Sequence, residues 1–549
     1  MVASLNTVLY NVGPWHAPTL AFLFFRGFPL CFTILFLSFA APKMDHWCAK
    51  PASFHEWTAE QWRNFAIPLE MHKGKWRRSQ CRMYRIEETE SGHEVLNETL
   101  ACTAWDYDTS FYKSNVLTQW DLVCDRGWYV SMSQSIFMGG IIVGNILFAT
   151  ISDRFGRRTS LLYAILLLTA SGLVTVASPS FLVFNIIRVV SSLGIGAYQS
   201  TAVTIVVECI SPKRRPFLLL GVLGWIAGVW PANFAALRHP TSNGIRSGLL
   251  GVLGWMAGCL ALPWLAYALT DWVILQVVLS LSNLVLLALW FIVPESPRWL
   301  MTKGRLKEAE AVLSAVVMKN NVNNVDVKTI IQERRILVEE SSVAKHKSTF
   351  FDLFKGKKLR RNSILIFISY FANRLLMFHL TFFSVYVGGN PFISFTLVIL
   401  FSIPGSSIVP LLMIRYCRRR MALAVSCFAT GAFILLLIPF TEEYFVLRLL
   451  TTIIAKNSIN AAAGVLTVFA GEVFPTVVRT LGIGGAYMFS RIGTMLSPFF
   501  RELADITSPA VAAVVSAAVA IIGGIAAMML PETLGKPLPD TLEDAEKQS

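Results

Sequence analysis

The stretch "ISDRFGRRTS", residues 151–160, places one acid and three arginines between two runs that carry no charge, 129–151 and 161–177. A bilayer core about 30 Å thick is crossed by about 20 apolar residues of helix. The two runs are therefore expected to be spans, and the stretch a tight, watery turn eased by Gly156. The rest of the chain repeats the pattern. Of 549 residues 54% are hydrophobic and 15% charged, too little charge to clothe the surfaces of several soluble domains. Candidate spans run over 20–41, 129–151, 161–177, 181–208, 217–235, 248–270, 272–293, 363–386, 392–413, 421–440, 443–469, 480–498 and 509–530, which makes this an all-α polytopic membrane protein. The first run is too long for a signal-peptide core and lacks a clear cleavage site, so it reads as an uncleaved span.

The formal charge of +14 fits Lys- and Arg-rich cytosolic loops better than nucleic-acid binding, because no run interleaves basic and aromatic residues. Loops 152–160, 211–216 and 414–420 hold ten Lys or Arg, whereas 178–180, 271, 387–391, 441–442 and 499–508 hold one, Arg501. The first group, and with it both termini, is assigned to the cytosol. Segment 42–128 carries Cys48, Cys81, Cys102 and Cys124 and the sequon Asn97-Glu98-Thr99, as an oxidising, extracellular side would require. Their three possible pairings stay open. The other five cysteines read as reduced packing residues. No close Cys/His pair has zinc-ligand spacing, no G-x-x-x-x-G-K-[ST] loop is present, and no nucleophile–base pair suggests an enzyme. No metal or cofactor is expected. Segment 294–362, basic and helix-forming, reads as a cytosolic linker.

Thirteen spans contradict the loop charges. "LLGVLGWIAG" (219–228) and "LLGVLGWMAG" (249–258) match at nine of ten positions, offset by 30, a tandem duplication rather than a fold repeat. If only the second copy spans, the count is twelve and the later loops keep their sides. The first copy would then re-enter, lie at the interface or replace its twin, unless the insertion is a splicing or gene-assembly error; labelling at Thr241 distinguishes the topologies. The resulting division is 1–41, the N-terminus and first span; 42–128, the outer loop; 129–293, the rest of the first half with the duplicated 219–248; 294–362, the linker; 363–530, the second half; and 531–549, the tail.

Twelve spans in two halves of six, with these motifs, resemble the major facilitator superfamily and, within it, the organic ion (organic cation, carnitine-type and organic anion) transporter family. The resemblance covers nearly the whole chain. It is carried in order by "CTAWDYDTSFYKSNVLTQWDLVCD" (102–125), "SDRFGRR" (152–158), "ECISPKRR" (208–215), "PESPRWL" (294–300), "GEVFPTVVRTLGIG" (471–484) and "PETLGKPLPDTLED" (531–544). It implies a plasma-membrane carrier working by alternating access on a substrate near the midplane. It also implies that the charged loops form a cytosolic latch holding the ends of the two halves together: Asp153 accepting from arginine or helix N–H groups, Arg157 or Arg158 pairing with Glu208, and Arg154, Arg214, Arg215, Glu295, Arg298, Glu472 and Arg479 completing it. The plainer alternative is that these charges only anchor topology. Two departures stand out. Ala149 replaces the glycine usual four residues before the loop acid, and "IRYCRRR" carries Ile414 and Cys417 where the second half should have an acid and a glycine, so the second latch is expected to be degraded.

Charges inside spans are costly, and all of them here are basic or imidazole: Arg26, Arg188, Arg374, His379, Arg448, Lys456 and Arg491. Cations without acids favour an organic anion or a carboxylate-bearing zwitterion. By resemblance, Arg491 stands in the eleventh span where cation carriers hold an acid, and Lys456 where the family often has a basic residue. Arg374, His379, Phe378 and Tyr198 complete the candidate substrate set. Met377 and Phe378 stand where the family often has a tyrosine pair. Arg26 and Arg448 are expected to snorkel, Arg188 to brace helix packing, and Tyr198, Tyr370 and Phe371 read equally as core or lipid contacts. With no intramembrane carboxylate evident, uniport or exchange is favoured over proton coupling. The alternatives are an organic cation carrier, or a form that no longer transports because of the duplication.

Overall fold

The computed structural model describes residues 13–72, 75–89, 92–209, 243–320, 322, 327–332, 350–440, 442–475, 477–536, 539 and 542–547. Span 1 consists of helices Ala17–Phe25 and Gly27–Ala40, span 2 is Trp128–Phe155, span 3 Arg157–Val174, span 4 Phe181–Cys209, span 5 Asn243–Ala268, and span 6 Trp272–Leu281 with Asn283–Trp290. The second half repeats the plan: span 7 is Lys357–Phe383, span 8 Pro391–Phe401 with Ile403–Ser406 and Ile408–Tyr416, span 9 Arg419–Leu435, span 10 Phe445–Val473, span 11 Arg479–Leu496 and span 12 Pro509–Met529. Eight of these among the described residues, spans 1–4, 6, 7, 10 and 12, are long and apolar enough to cross a membrane. Each half buries its own apolar core, and the first core also takes in Phe378, Val385, Phe392, Phe395 and Ile399 from spans 7 and 8 and the turn between them.

The kinks have local causes. Pro29 cannot donate to the carbonyl of Phe25, and span 1 breaks at Arg26. Pro404 and Pro410 break span 8, where Gly405 donates to the side-chain oxygen of Asn457 on span 10 at 2.6 Å. Span 1 begins earlier than its hydropathy suggests, with Pro14. Arg26 is thereby moved to mid-span, where its guanidinium reaches the Tyr198 carbonyl at 3.4 Å, and the expected snorkelling is replaced by packing against span 4. The fifth position holds the second copy of the duplicated motif, because 249–258 lies within Asn243–Ala268. The first copy, Thr241, Arg214 and Arg215 lie outside the described residues.

Segment 42–128 folds over one end, here called the loop end. It has three two-stranded antiparallel sheets and a small core of Trp47, Phe54, Trp62 and Ile67. Disulfides join Cys48 to Cys102 and Cys81 to Cys124. Asn97 is exposed on the strand Gly92–Ala101. The other five cysteines are free; four are buried, and Cys417 is exposed. Between spans 11 and 12 the expected loop contains a short amphipathic helix, Phe499–Ile506.

Candidate functional site

At the opposite end, the linker end, span 3 begins directly after the turn at Gly156, whose φ is +107°. A Cβ there would lie 2.6 Å from the Glu295 carboxylate and 3.1 Å from the Trp299 ring, so glycine is demanded by both backbone and space. Glu295 accepts the backbone N–H groups of Arg157 and Arg158 at 3.0 and 3.1 Å, where a helix N-terminus favours an anion. Burial nevertheless pushes its carboxyl above the ordinary glutamate value, against the lowering effect of the three N–H donors from Ser296, Arg158 and Arg157 and of the nearby Arg157 guanidinium. The Arg157 guanidinium forks onto Glu208 at 3.0 and 2.8 Å, reaches Asp153 at 2.8 Å and donates to the Ser152 carbonyl at 2.8 Å. Arg298 donates to the Glu208 carbonyl at 2.9 Å, and Arg158 to that of Phe291 at 3.1 Å. Arg154 lies over Phe155.

The second half builds the same device. Arg419 pairs with Glu472 at 3.3 Å and donates to the Ile414 carbonyl, while Glu532 accepts the N–H groups of Arg419 and Arg420 at 3.0 and 3.3 Å. Arg419 thus corresponds to Arg157, Ile414 to Ser152, Arg415 to Asp153 and Arg418 to Gly156. The register that set Ile414 and Cys417 against the acid and the glycine is one residue out: Arg415 and Arg418 stand in their places, and the Arg419–Glu472–Glu532 bonds form without either. Arg418 has φ −63°, so no glycine is required there. Arg419 and Glu532 were missed. The repeated Pro-Glu-Ser and Pro-Glu-Thr after spans 6 and 12 were the available signal. Arg479 donates to the Phe474 carbonyl at 3.0 Å. Among the described residues the bonds of Arg157, Glu208 and Glu295 stay in the first half and those of Arg419, Glu472 and Glu532 in the second. In this conformation these six residues fasten helix ends within each half; Arg214 and Arg215, which the resemblance adds to a tie between halves, lie outside the described residues. Asp153 remains 74% exposed.

The halves meet instead toward the loop end. Ser131 donates to Glu502 at 2.8 Å, Ser135 to the Met495 carbonyl at 2.7 Å, and Lys43 pairs with Asp505 at 2.5 Å. Phe39 packs on Phe392 and Phe395.

At mid-depth, three cations from the second half approach the seam. Arg491 donates to the side-chain oxygen of Gln199 on span 4. Lys456, 3% exposed, donates to the Met377 carbonyl at 2.6 Å and to the Thr381 hydroxyl. Arg374 touches the Met377 sulfur at 3.4 Å and lies within electrostatic reach of both Lys456 and Arg491. Among the described residues none of the three has a carboxylate partner, and Gln199 was not anticipated. Phe378 is buried beside Phe382, facing the first-half core. His379 packs tilted against Phe500, 4.7 Å between centroids, toward the loop end. Tyr198 is fully buried against Phe22, its hydroxyl without a partner, so it lines no open site here. Arg188 is held by Gln134 at 3.0 Å and the rings of Phe137, Phe184 and Phe36, a brace within the first half. A cavity of about 20 Å³ between spans 1, 3, 4 and 6, lined by Thr33, Ser191, Gln276 and Asn283 among others, has room for one water and no organic substrate.

Two six-span halves closed at one end around mid-depth cations define a secondary membrane carrier. Residues 91–544 match the family described as sugar (and other) transporter. The chain is 28% identical to the organic cation transporter protein of Drosophila melanogaster, over 98% of this chain and 93% of that one. It is 27% identical to organic cation/carnitine transporter 2 of Mus musculus, over 94% and 88%, and 31% identical to organic anion transporter 3 of Oryctolagus cuniculus, over 80% and 76%. In fold it is similar to the inward-open xylose transporter XylE of E. coli, with a TM-score of 0.53 and 17% identity over 76% of this chain and 88% of that one. The chain belongs to the sugar (and other) transporter family of the major facilitator superfamily, among its organic ion transporters, and is a multi-pass membrane transporter rather than an enzyme.

Proposed function

We propose that the chain carries small organic anions or carboxylate-bearing zwitterions across the plasma membrane, by uniport or exchange, with both termini in the cytosol. The observation that carries this reading is the set Arg374, Lys456 and Arg491, three cations at the seam whose described partners are neutral. Burying cations without acids is expensive, and an incoming carboxylate supplies the missing charge through short charge-assisted bonds. A bare organic cation meets no counter-ion there among the described residues. The relatives' names include both anion and cation carriers, so the charge of the substrate rests on these side chains. Arg491, bonded across the seam to Gln199, is assigned to substrate recognition with Lys456 and Arg374, and Phe378 to the adjoining wall. The loop-end contacts form an outer gate, the paired Arg–Glu–Glu devices brace the cytosolic ends, and Asn97 is a glycosylation site.

The test is uptake by cells displaying the full chain, offered a dicarboxylate, a carnitine-like zwitterion and a tetraalkylammonium. Uptake of either of the first two supports the reading. Uptake of the tetraalkylammonium alone overturns it.

A further inference from the structure

The sulfurs of Cys31 on span 1 and Cys259 on span 5 lie 2.9 Å apart, and both residues are fully buried. No other free thiol pair among the described residues meets in this way. We propose that Cys31 and Cys259 form a dithiol site that oxidises to a disulfide, fastening span 1 to span 5 inside the first half.

The approach is built by glycines. Span 5 carries Gly254-x-x-x-Gly258, a small-residue spacing that lets helix backbones touch in a membrane. A Cβ at Gly254 would collide with the Phe24 carbonyl, and one at Gly27 with the backbone of Gly254. A Cβ at Gly258 would lie 3.1 Å from the Cys31 Cβ and 3.0 Å from the Phe28 Cα. The next residue, Cys259, is thus delivered onto Cys31 at a helix separation set by backbone contact. A disulfide bond is about 2.0 Å long, so the sulfurs have roughly 0.9 Å still to travel, within reach of side-chain rotation.

In forming the bond the two thiols lose two protons and two electrons. A membrane-permeant azo oxidant such as diamide takes up both pairs and becomes the hydrazine; in a cell, hydrogen peroxide takes them up and gives two waters. A dithiol reductant reverses the step. Both cysteines lie in one half, so the bond stiffens that half and leaves its rocking against the other free. The site also marks the duplication: at the offset of 30, the first copy has Val229 where the second has Cys259, and only the second copy can close the bond.

The test uses the full chain in membranes with a protease site inserted between Arg126 and Gly127, beyond all four disulfide-bonded cysteines. After diamide, denaturation in a thiol-blocking maleimide and cleavage, the two fragments should run as one band without reductant and separate with it. They should separate without reductant in C31S and in C259S, variants whose surface display and uptake report that they fold. Mapping of disulfide-linked peptides from the uncut wild type should recover the same pair. Fragments that part after diamide, with both cysteines blocked by maleimide, overturn the proposal. So does a cross-link in V229C/C259S, which would put the first copy against span 1.

Discussion

Glu532 holds the N-terminus of span 9 as Glu295 holds that of span 3, each taking two consecutive backbone N–H groups from a pair of arginines. In both halves the first arginine of the pair then turns back onto a glutamate at the end of the helix that follows, Glu208 or Glu472. Two more caps complete the symmetry. Asn320 accepts from Trp15 at 3.1 Å at the start of span 1, and Glu546 accepts from Lys358 and Leu359, both at 3.0 Å, at the start of span 7. The segments after spans 6 and 12 are thus fastened to the helices of their own halves.

Replacing Glu295 by alanine leaves two helix N–H groups without an acceptor, at about 1–3 kcal/mol for each buried group, and E295A should melt at a lower temperature than wild type. E295Q keeps an acceptor oxygen. Because burial raises the Glu295 carboxyl above the ordinary glutamate value, its stabilising effect is full below that value and is lost as pH rises through the raised one. The melting temperature of wild type relative to E295Q, followed in detergent from about pH 4 to about pH 7, should therefore fall as pH rises. A difference that grows with pH would show that the N–H bonds outweigh burial.

Gly156 and Arg418 occupy equivalent turns but differ in backbone, +107° against −63°. G156A should cost about 1–3 kcal/mol in backbone alone and displace Glu295 and Trp299, reducing surface display. R418A should be tolerated. Thermal stability of the two purified variants checks the contrast.

How much of this was legible follows from what each feature requires. Uncharged runs mark spans because lipid imposes them locally, and cysteines with a sequon mark the outer segment. Features that depend on distant partners were hidden. Arg419 finds Glu472 and Glu532 from 53 and 113 residues away, and scanning one loop for an acid and a glycine could not show that the pairing survives without them. Arg26 read as a span-end residue because the run's start was set by hydropathy, while Pro14 begins the helix earlier. Gln199 left only a weak signal, a lone amide in the small-residue run of span 4.

Gln199 holds Arg491 across the seam. Q199A releases the guanidinium without removing its charge, so it should alter KM for a carboxylate by a few-fold and leave display unchanged. Concentration-dependent uptake measures this.

Ser131 and Glu502 join the halves at the loop end, 2.8 Å apart. An oxidised S131C/E502C pair should hold that end shut and abolish uptake, while neither single cysteine does. Uptake that survives a verified cross-link would show that the loop end need not open there.

The central claim is that basic groups at the seam select a carboxylate. The most direct measurement compares wild type, R491A and K456A at equal surface display for uptake of the dicarboxylate and the tetraalkylammonium. Loss of a charge-assisted bond, about 1.5–3 kcal/mol, predicts that carboxylate uptake falls at least tenfold in R491A, with no cation uptake by wild type. Undiminished carboxylate uptake in both variants, or cation uptake by wild type that grows when Arg491 is removed, would contradict it.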